Sequence, residues 1–467
     1  MAARSQSVQD PIVSNHDDSH AIRLVPSLST SSGLFVLVVL AFVHFAAWSW
    51  ITVPWQAPDE PEHVEVVLTR LQTGTLWGHV KRHRPIFDEI LQSRKAHRFW
   101  DYIPWANPAA PPSGGLFYQP PLYYALQASV IGLVQPKTLE DKLQVMRLFS
   151  AALIAVAVGI SFLTMRVLFP ADLFLQWAVP LFMALHPMHA YLAGTVNNDA
   201  LAELTATVGF LFLAITLKSG VRWQTTVGLL LVLGTAFYTK RTVAFLVPVV
   251  AFGLLLAAIR KSVKAYWLIA FSLLIGALGV ALLLRSPLGA TVEARIWGYV
   301  GFGKAAPLQA IMDALHRNDL YRYFNLTFRS FWGQFGWLVQ SLDDSWYKTI
   351  QVVILLLLVG MGRWFLSPHP TYVSLMFLLF FTAIGLAAAQ VVGAFIWYDI
   401  WAGRPGSVPQ GRYLYPVFVP LTTILAAGFR GWFPSLSPRF SIILWGMGWF
   451  LFDGMVLFRY ALPFFHG

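Results

Sequence analysis

Cysteine is absent from this chain, so no disulfide, thiolate metal site or cysteine nucleophile is open to it. Charge is almost as scarce: Asp, Glu, Lys and Arg make up 12% of the residues, about half the share usual in soluble domains. The basic residues form no continuous run and accompany no nucleic-acid-binding motif. The net charge of +11 is therefore not read as the footprint of a phosphate-backbone binder, and no nucleic-acid partner is expected. No short-period repeat is present, nor the paired broken helices that mark an inverted-repeat transporter. No apolar run precedes Leu34, which is late for a cleaved signal peptide, so the first run is read as a retained membrane span behind a polar, disordered tail at 1–32.

What the chain has in excess is apolar surface. Hydrophobic residues are 57% of the sequence, in stretches about as long as the roughly 20 residues needed to cross a bilayer. The fold class expected is an all-α polytopic membrane protein. Eleven spans are predicted, near 33–52, 145–168, 173–193, 200–217, 224–239, 242–259, 265–284, 349–366, 371–397, 413–429 and 440–458.

One apolar segment, Pro120 to Val134, is short for a span and is bracketed by Pro120, Pro121 and Pro136. The loop charges decide how it lies. If it does not cross, Arg166, Lys218, Arg222, Arg260, Lys261, Lys264, Arg363, Arg430 and Arg439 all fall on the side of Arg4 and Arg23, as the positive-inside rule requires. The segment is therefore predicted to be a half-embedded interfacial helix, with a cytoplasmic N-terminus and an outside C-terminus. The membrane-embedded domain then runs over 33–467 and carries two structured outside loops, 52–144 and 285–348, both too long and too aromatic to be simple connections.

Acidic and basic residues gather at the outside ends of these spans. In Pro58-Asp59-Glu60-Pro61-Glu62-His63, the three- and four-residue spacings to His63 put Asp59, Glu60 and His63 on one helical face. The same residues also read as a helix start, with Asp59 as N-cap and Glu60 and Pro61 in the first turn. Asn197-Asn198-Asp199 admits the same two readings. Lys240 and Arg241 end the fifth span, and Gln410-Gly411-Arg412-Tyr413 opens the tenth. Cations at that depth mark a functional site or snorkel to the interface, and a planar guanidinium suits phosphate. Tyr118-Gln119-Pro120-Pro121-Leu122-Tyr123-Tyr124 fits an interfacial aromatic belt, and Phe331 to Trp337 fits a sugar-stacking wall or a packed core. His44, His186 and His189 are read as structural. Asn325-Leu326-Thr327 matches a glycosylation sequon, which matters only in a eukaryotic secretory compartment.

Taken in order, Pro58 to His63, Gln119 to Tyr124, Asn197 to Leu201, Phe331 to Trp337 and Gln410 to Pro416 resemble a family of predicted bacterial membrane proteins. That family resembles a branch of the C-type glycosyltransferases (the GT-C fold), which includes oligosaccharyltransferases, protein O-mannosyltransferases and lipid A aminoarabinose transferases. The likeness runs from about Gly33 to the C-terminus. It implies a first outside loop with two juxtamembrane helices, a polyprenyl-phosphate-linked sugar donor and an inverting transfer to an acceptor on a glycan, lipid or protein. It also implies a bacterial inner or plasma membrane, with the site facing outside and membrane lipids around it.

The resemblance further implies catalytic roles at Asp59, Glu60, His63 and Asp199, and substrate contacts at Gln119, Tyr123, Lys240, Arg241, Trp332, Arg412 and Tyr413. Asp59 would act as general base on the acceptor hydroxyl. Arg412, with Lys240 or Arg241, would stabilise the departing phosphate, or a divalent cation held by Asp59 and Asp199 would serve instead. No cofactor is otherwise expected. The competing reading is a transporter or flippase of a lipid-linked saccharide, which needs charge at mid-span, where Asp453 is the nearest candidate.

Overall fold

The computed structural model describes residues 28–103, 115–261, 320–402 and 409–467. Apolar stretches become helices because a bilayer leaves backbone polar groups no partner but one another. In chain order the helices are α1 (Leu28–Ile51), α2 (Glu60–Thr73), α3 (Arg84–Ala96), α4 (Phe99–Tyr102), α5 (Leu122–Val134), α6 (Leu139–Leu168), α7 (Leu173–Leu185) and α8 (Pro187–Ala193). They continue with α9 (Asp199–Ser219), α10 (Trp223–Thr239), α11 (Leu246–Lys261), α12 (Leu320–Trp332), α13 (Asp344–Phe365) and α14 (Thr371–Ala402). After a 3-10 segment, Gly411–Val417, come α15 (Phe418–Trp432), α16 (Pro438–Val456) and α17 (Leu462–His466). Among the described residues the only sheet is one antiparallel pair, Gln334–Phe335 with Gln340–Ser341.

Eight helices among the described residues are long and apolar enough to cross a membrane. The predicted span at 173–193 is instead two short helices, because Pro187 has no amide hydrogen to continue α7 and begins α8. The span at 224–239 is the 17-residue α10, and the one at 265–284 lies outside the described residues, as do 285–319 of the second long loop. Leu230, Leu231 and Phe237 on α10, Leu355 and Leu356 on α13, and Phe450 and Leu451 on α16 are exposed, which is the outward apolar surface that lipid requires.

The basic loops meet at one end of the bundle. Lys218 donates to the Val167 carbonyl at 2.8 Å, Arg260 to the Lys218 carbonyl at 3.1 Å, and Tyr372 to the Leu168 carbonyl at 3.2 Å. The acidic motifs lie at the other end. Helix α5 stays there: it is 13 residues, about 20 Å long, and residues flanking both its ends touch the first loop. Before it, the Leu116 amide donates to Glu62 at 3.2 Å, and after it Ser93 donates to Glu140 at 2.7 Å. Both ends of the segment thus stay beside the first loop.

Small residues set the closest contacts. A Cβ on Gly428 would stand 2.0 Å from the Leu357 carbonyl oxygen, and one on Gly431 1.9 Å from that of Gly360, so α13 and α15 meet backbone to backbone. At Gly411 a Cβ would stand 2.3 Å from the Phe331 amide nitrogen, while the Gly411 amide donates to Ser330 Oγ at 2.8 Å. That contact presses the segment bearing Arg412 against α12.

Candidate active site

The first loop builds the site around a buried clamp. Glu60 is wholly buried and accepts from Arg147 at 2.9 and 2.7 Å and from the Val196 amide at 3.1 Å. Arg147 in turn donates to the carbonyls of Ser49 and Thr52 at 2.9 and 2.7 Å. One ion pair thus joins the end of α1, the start of α2, α6 and the 195–199 turn. Every side chain of α2 from Glu60 to Arg70 is buried, and its charges are met individually. Arg82 pairs with Glu65 at 2.6 Å, and Arg70 donates to the carbonyls of residues 75, 76 and 78. Burial pushes the Glu62 and Glu65 carboxyls upward, only partly offset by the Leu116 amide and Arg82 respectively.

With Glu60 anchored, Asp59 is left to face outward. Its backbone lies in the left-handed region at φ 66°, where Asp and Asn are better tolerated than other side-chain-bearing residues, and its side chain makes no capping bond to α2. Asp59 thus holds the N-cap position through its backbone carbonyl, which accepts from the His63 amide at 3.0 Å, while its side chain is left free of capping. The Asp59 carboxylate instead pairs with the Arg412 guanidinium, which also donates to the Pro58 carbonyl at 3.2 Å. Partial burial pushes the Asp59 carboxyl up, but Arg412, with His63 and Lys240, outweighs it and holds the group below the usual carboxylate range.

The second motif meets the first. Asp199 accepts from Lys240 at 2.6 Å and stands 3.8 Å from Arg412 Nε. Asn197 Oδ1 accepts from the Asp199 amide at 2.9 Å, so the start of α9 is satisfied by Asn197 and the Asp199 carboxylate remains for Lys240. The Tyr413 ring lies under both cations, 5.2 Å from Lys240 Nζ and 5.3 Å from the Arg412 guanidinium carbon. Asp59, with 37% of its side chain exposed against 4% to 10% for Arg412, Asp199 and Lys240, is the opening of this four-residue cluster. His63 is buried behind it and shares a hydrogen bond with the Tyr124 hydroxyl at 3.0 Å. Burial drives its imidazole down to about 3, so it is neutral at physiological pH.

Several buried polar atoms here make no hydrogen bond: Asp199 Oδ2 and Arg412 Nε, which face each other at 3.8 Å, and both side-chain polar atoms of Asn198; Gln119 Oε1, in the first loop, also makes none. Buried polar groups are nearly always paired, and leaving one unpaired costs about 1–3 kcal/mol, so a cluster of them at one site suits a missing polar ligand. A metal fits less well. Guanidinium and ammonium groups already occupy Asp59 and Asp199, and among the described residues no three His, Asp or Glu side chains come together as ligands.

Other predicted contacts lie elsewhere. Tyr123 points to Ser150 and Gln127 at 2.9 and 2.8 Å, within the packing of α5 on α6; its neighbour Tyr124 reaches His63. Trp332 stacks on Trp449 with centroids 5.9 Å apart, inside an aromatic core with Phe182 and His186. The Arg241 carbonyl accepts from Gln390 at 2.7 Å, at the 3-10 turn that follows α10. The three histidines read as structural are all hydrogen-bonded. His44 meets Asp453 at 3.0 Å, His189 meets Glu203 at 2.9 Å, and His186 caps α8.

The sequence matches, over residues 42–421, a family described as predicted membrane protein (DUF2142). No curated protein matches it. Among solved structures it is similar to ArnT from Cupriavidus metallidurans, crystallised bound to undecaprenyl phosphate. The identity is 13% and the TM-score 0.46, over 93% of this chain and 74% of that one.

Proposed function

The chain belongs to the DUF2142 family of predicted membrane proteins, and from the arrangement of its acidic end we propose that it is a glycosyltransferase. In this reading it moves a sugar from a polyprenyl-phosphate donor to an acceptor hydroxyl at the outer face of the membrane, with inversion. The observation that carries the proposal is the Asp59–Arg412 pair: a carboxylate kept ionised, partly open, and set against a guanidinium whose Nε makes no hydrogen bond.

The donor phosphate enters between Arg412 and Lys240, where two cations meet it at once, and draws the guanidinium into a bidentate contact. Asp59 is then released toward the acceptor. The hydroxyl oxygen attacks the anomeric carbon, its proton passes to Asp59, and the carbon–oxygen bond to phosphate breaks with the electron pair leaving on the phosphate. Arg412 and Lys240 stabilise that charge in a largely water-excluded site. Neutral His63, held by Tyr124, fixes the floor beneath Asp59. Asn198, whose carboxamide is buried and unpaired, offers a donor and an acceptor to sugar hydroxyls.

A transporter or flippase draws less support. The span acids Asp453 and Glu203 are each buried against a histidine, which leaves no open line of charge along those helices. Reconstitution into proteoliposomes with polyprenyl-phosphate sugars separates the readings. The transferase releases polyprenyl phosphate in an Asp59-dependent way. Movement of intact donor across the bilayer without release would establish the flippase instead.

A further inference from the structure

At the end of the bundle opposite Asp59 lies a cavity of about 420 Å³, between the α6–α7 turn, the end of α13 and the end of α15. Its polar wall is Arg363, Arg430, Asp172 and Ser367, and its apolar wall includes Trp364 and Leu366. Arg412 and Arg430 lie on one continuous span, 411–432, so this cavity is separated from the acidic site by most of the membrane thickness. Nothing in the transfer chemistry uses it.

The cavity is framed rather than accidental. Arg430 is held by Asp172 at 3.2 Å and by the Leu436 carbonyl at 3.0 Å. Asp172 is itself doubly engaged, because its other oxygen accepts from the Leu175 amide at 3.1 Å and caps α7. Arg363 lies over the Trp432 ring with its guanidinium carbon 4.7 Å from the centroid, and among the described residues it meets no carboxylate or carbonyl. Two guanidinium groups therefore border the cavity beside one carboxylate, which of the two only Arg430 engages, and the charge of Arg363 faces space that a headgroup can fill. Leu366, 87% exposed, stands at the rim, where an acyl chain would run. Snorkelling alone would extend Arg363 into water rather than lay it on an indole at a cavity wall.

We propose that this cavity binds the phosphodiester headgroup of an anionic membrane lipid, with Arg363 as its principal contact and Arg430 as a fixed second cation. Lysine would not substitute well, since a point charge lacks the fork that grips two phosphate oxygens.

The test uses delipidated full-length protein in detergent, with added phosphatidylglycerol, phosphatidylcholine or inorganic phosphate, read by native mass spectrometry and thermal unfolding. Wild-type protein should retain phosphatidylglycerol in preference to phosphatidylcholine. Arg363→Gln should weaken that retention about five-fold, the effect of one basic residue at a charged membrane surface. Arg439→Gln, at an exposed arginine of the same end that does not line the cavity, should leave it unchanged. Unfolding without added lipid shows whether Arg363→Gln is intact. Equal retention of the two lipids, or an equal loss from Arg439→Gln, overturns the site; displacement by millimolar inorganic phosphate overturns a lipid as its occupant.

Discussion

Arg412 reaches Asp59 across 353 positions of sequence, and the pair joins the first loop to the segment that opens α15. Neither residue is placed by its own neighbourhood alone. Asp59 is turned outward by a left-handed backbone and by the burial of Glu60 beside it, and Arg412 is pressed inward by the Gly411–Phe331 contact.

Asp59→Asn is the sharpest test of the proposed base. Asn accepts the left-handed conformation, no capping bond is lost, and Arg412 keeps Asp199, the Pro58 carbonyl and the Asn amide oxygen as partners, so the fold should be retained. Turnover should fall by roughly 10²-fold or more. Normal transfer by well-expressed Asp59→Asn protein would remove Asp59 from catalysis.

Arg412 should set the acid limit of activity. Because it holds the Asp59 carboxyl down, the wild-type base stays ionised until the pH falls through that lowered value. In Arg412→Gln the acid limb of kcat/KM should move to higher pH and donor affinity should drop, while Arg412→Lys should keep the limb and still lose affinity. A pH profile identical in all three proteins, with unchanged donor binding, contradicts both roles.

For Glu60 the expectation is structural. Removing one partner of a buried ion pair costs about 3–5 kcal/mol, because it strands the other charge. Glu60→Gln and Arg147→Gln should therefore both lower the unfolding temperature sharply, with similar turnover in whatever folded protein remains. A stable Glu60→Gln protein that has lost transfer would return Glu60 to the catalytic set.

His63 makes the protein sensitive to acid. Its folded value near 3 lies below the ordinary 6.5, so the unfolded chain takes up the proton first as pH falls. Stability present above about pH 6.5 is lost on the way toward pH 3, by about 2 kcal/mol at pH 5. His63→Gln should flatten that fall in a thermal titration. Tyr124→Phe, which removes its partner, should lower turnover, whereas Tyr123→Phe should weaken only the packing of α5 on α6.

Much of this was legible in the sequence because bilayer chemistry is blunt. Apolar length gave the helices, and the flanking prolines gave the short α5. Topology then brought Asp59, Asp199, Lys240 and Arg412 to one end without any knowledge of side-chain direction. What could not be read depended on helical phase and on partners distant in sequence. Tyr123 and Tyr124 differ by one position, about 100° around α5, and that rotation decides which of them meets His63. Arg147 was the overlooked signal: an arginine inside an apolar span asks for a carboxylate, and Glu60 answers it from 87 positions away. Trp332 read equally as a sugar wall or core, and only its stacking on Trp449 distinguishes the two.

The clamp and the site also differ in when they can form. At roughly 5–20 residues per second, Arg147 follows Glu60 off the ribosome within about 4–17 s, but Arg412 follows Asp59 only after about 20–70 s. The first loop is therefore fastened long before Asp59, its proposed catalytic carboxylate, gains a counter-ion. A chain interrupted between the 195–199 turn and the tenth predicted span would hold its shape at Glu60 and yet lack the guanidinium proposed to bind the donor phosphate. In the proposed mechanism competence waits for Arg412, and a copy that stops short of it stays inert in the membrane.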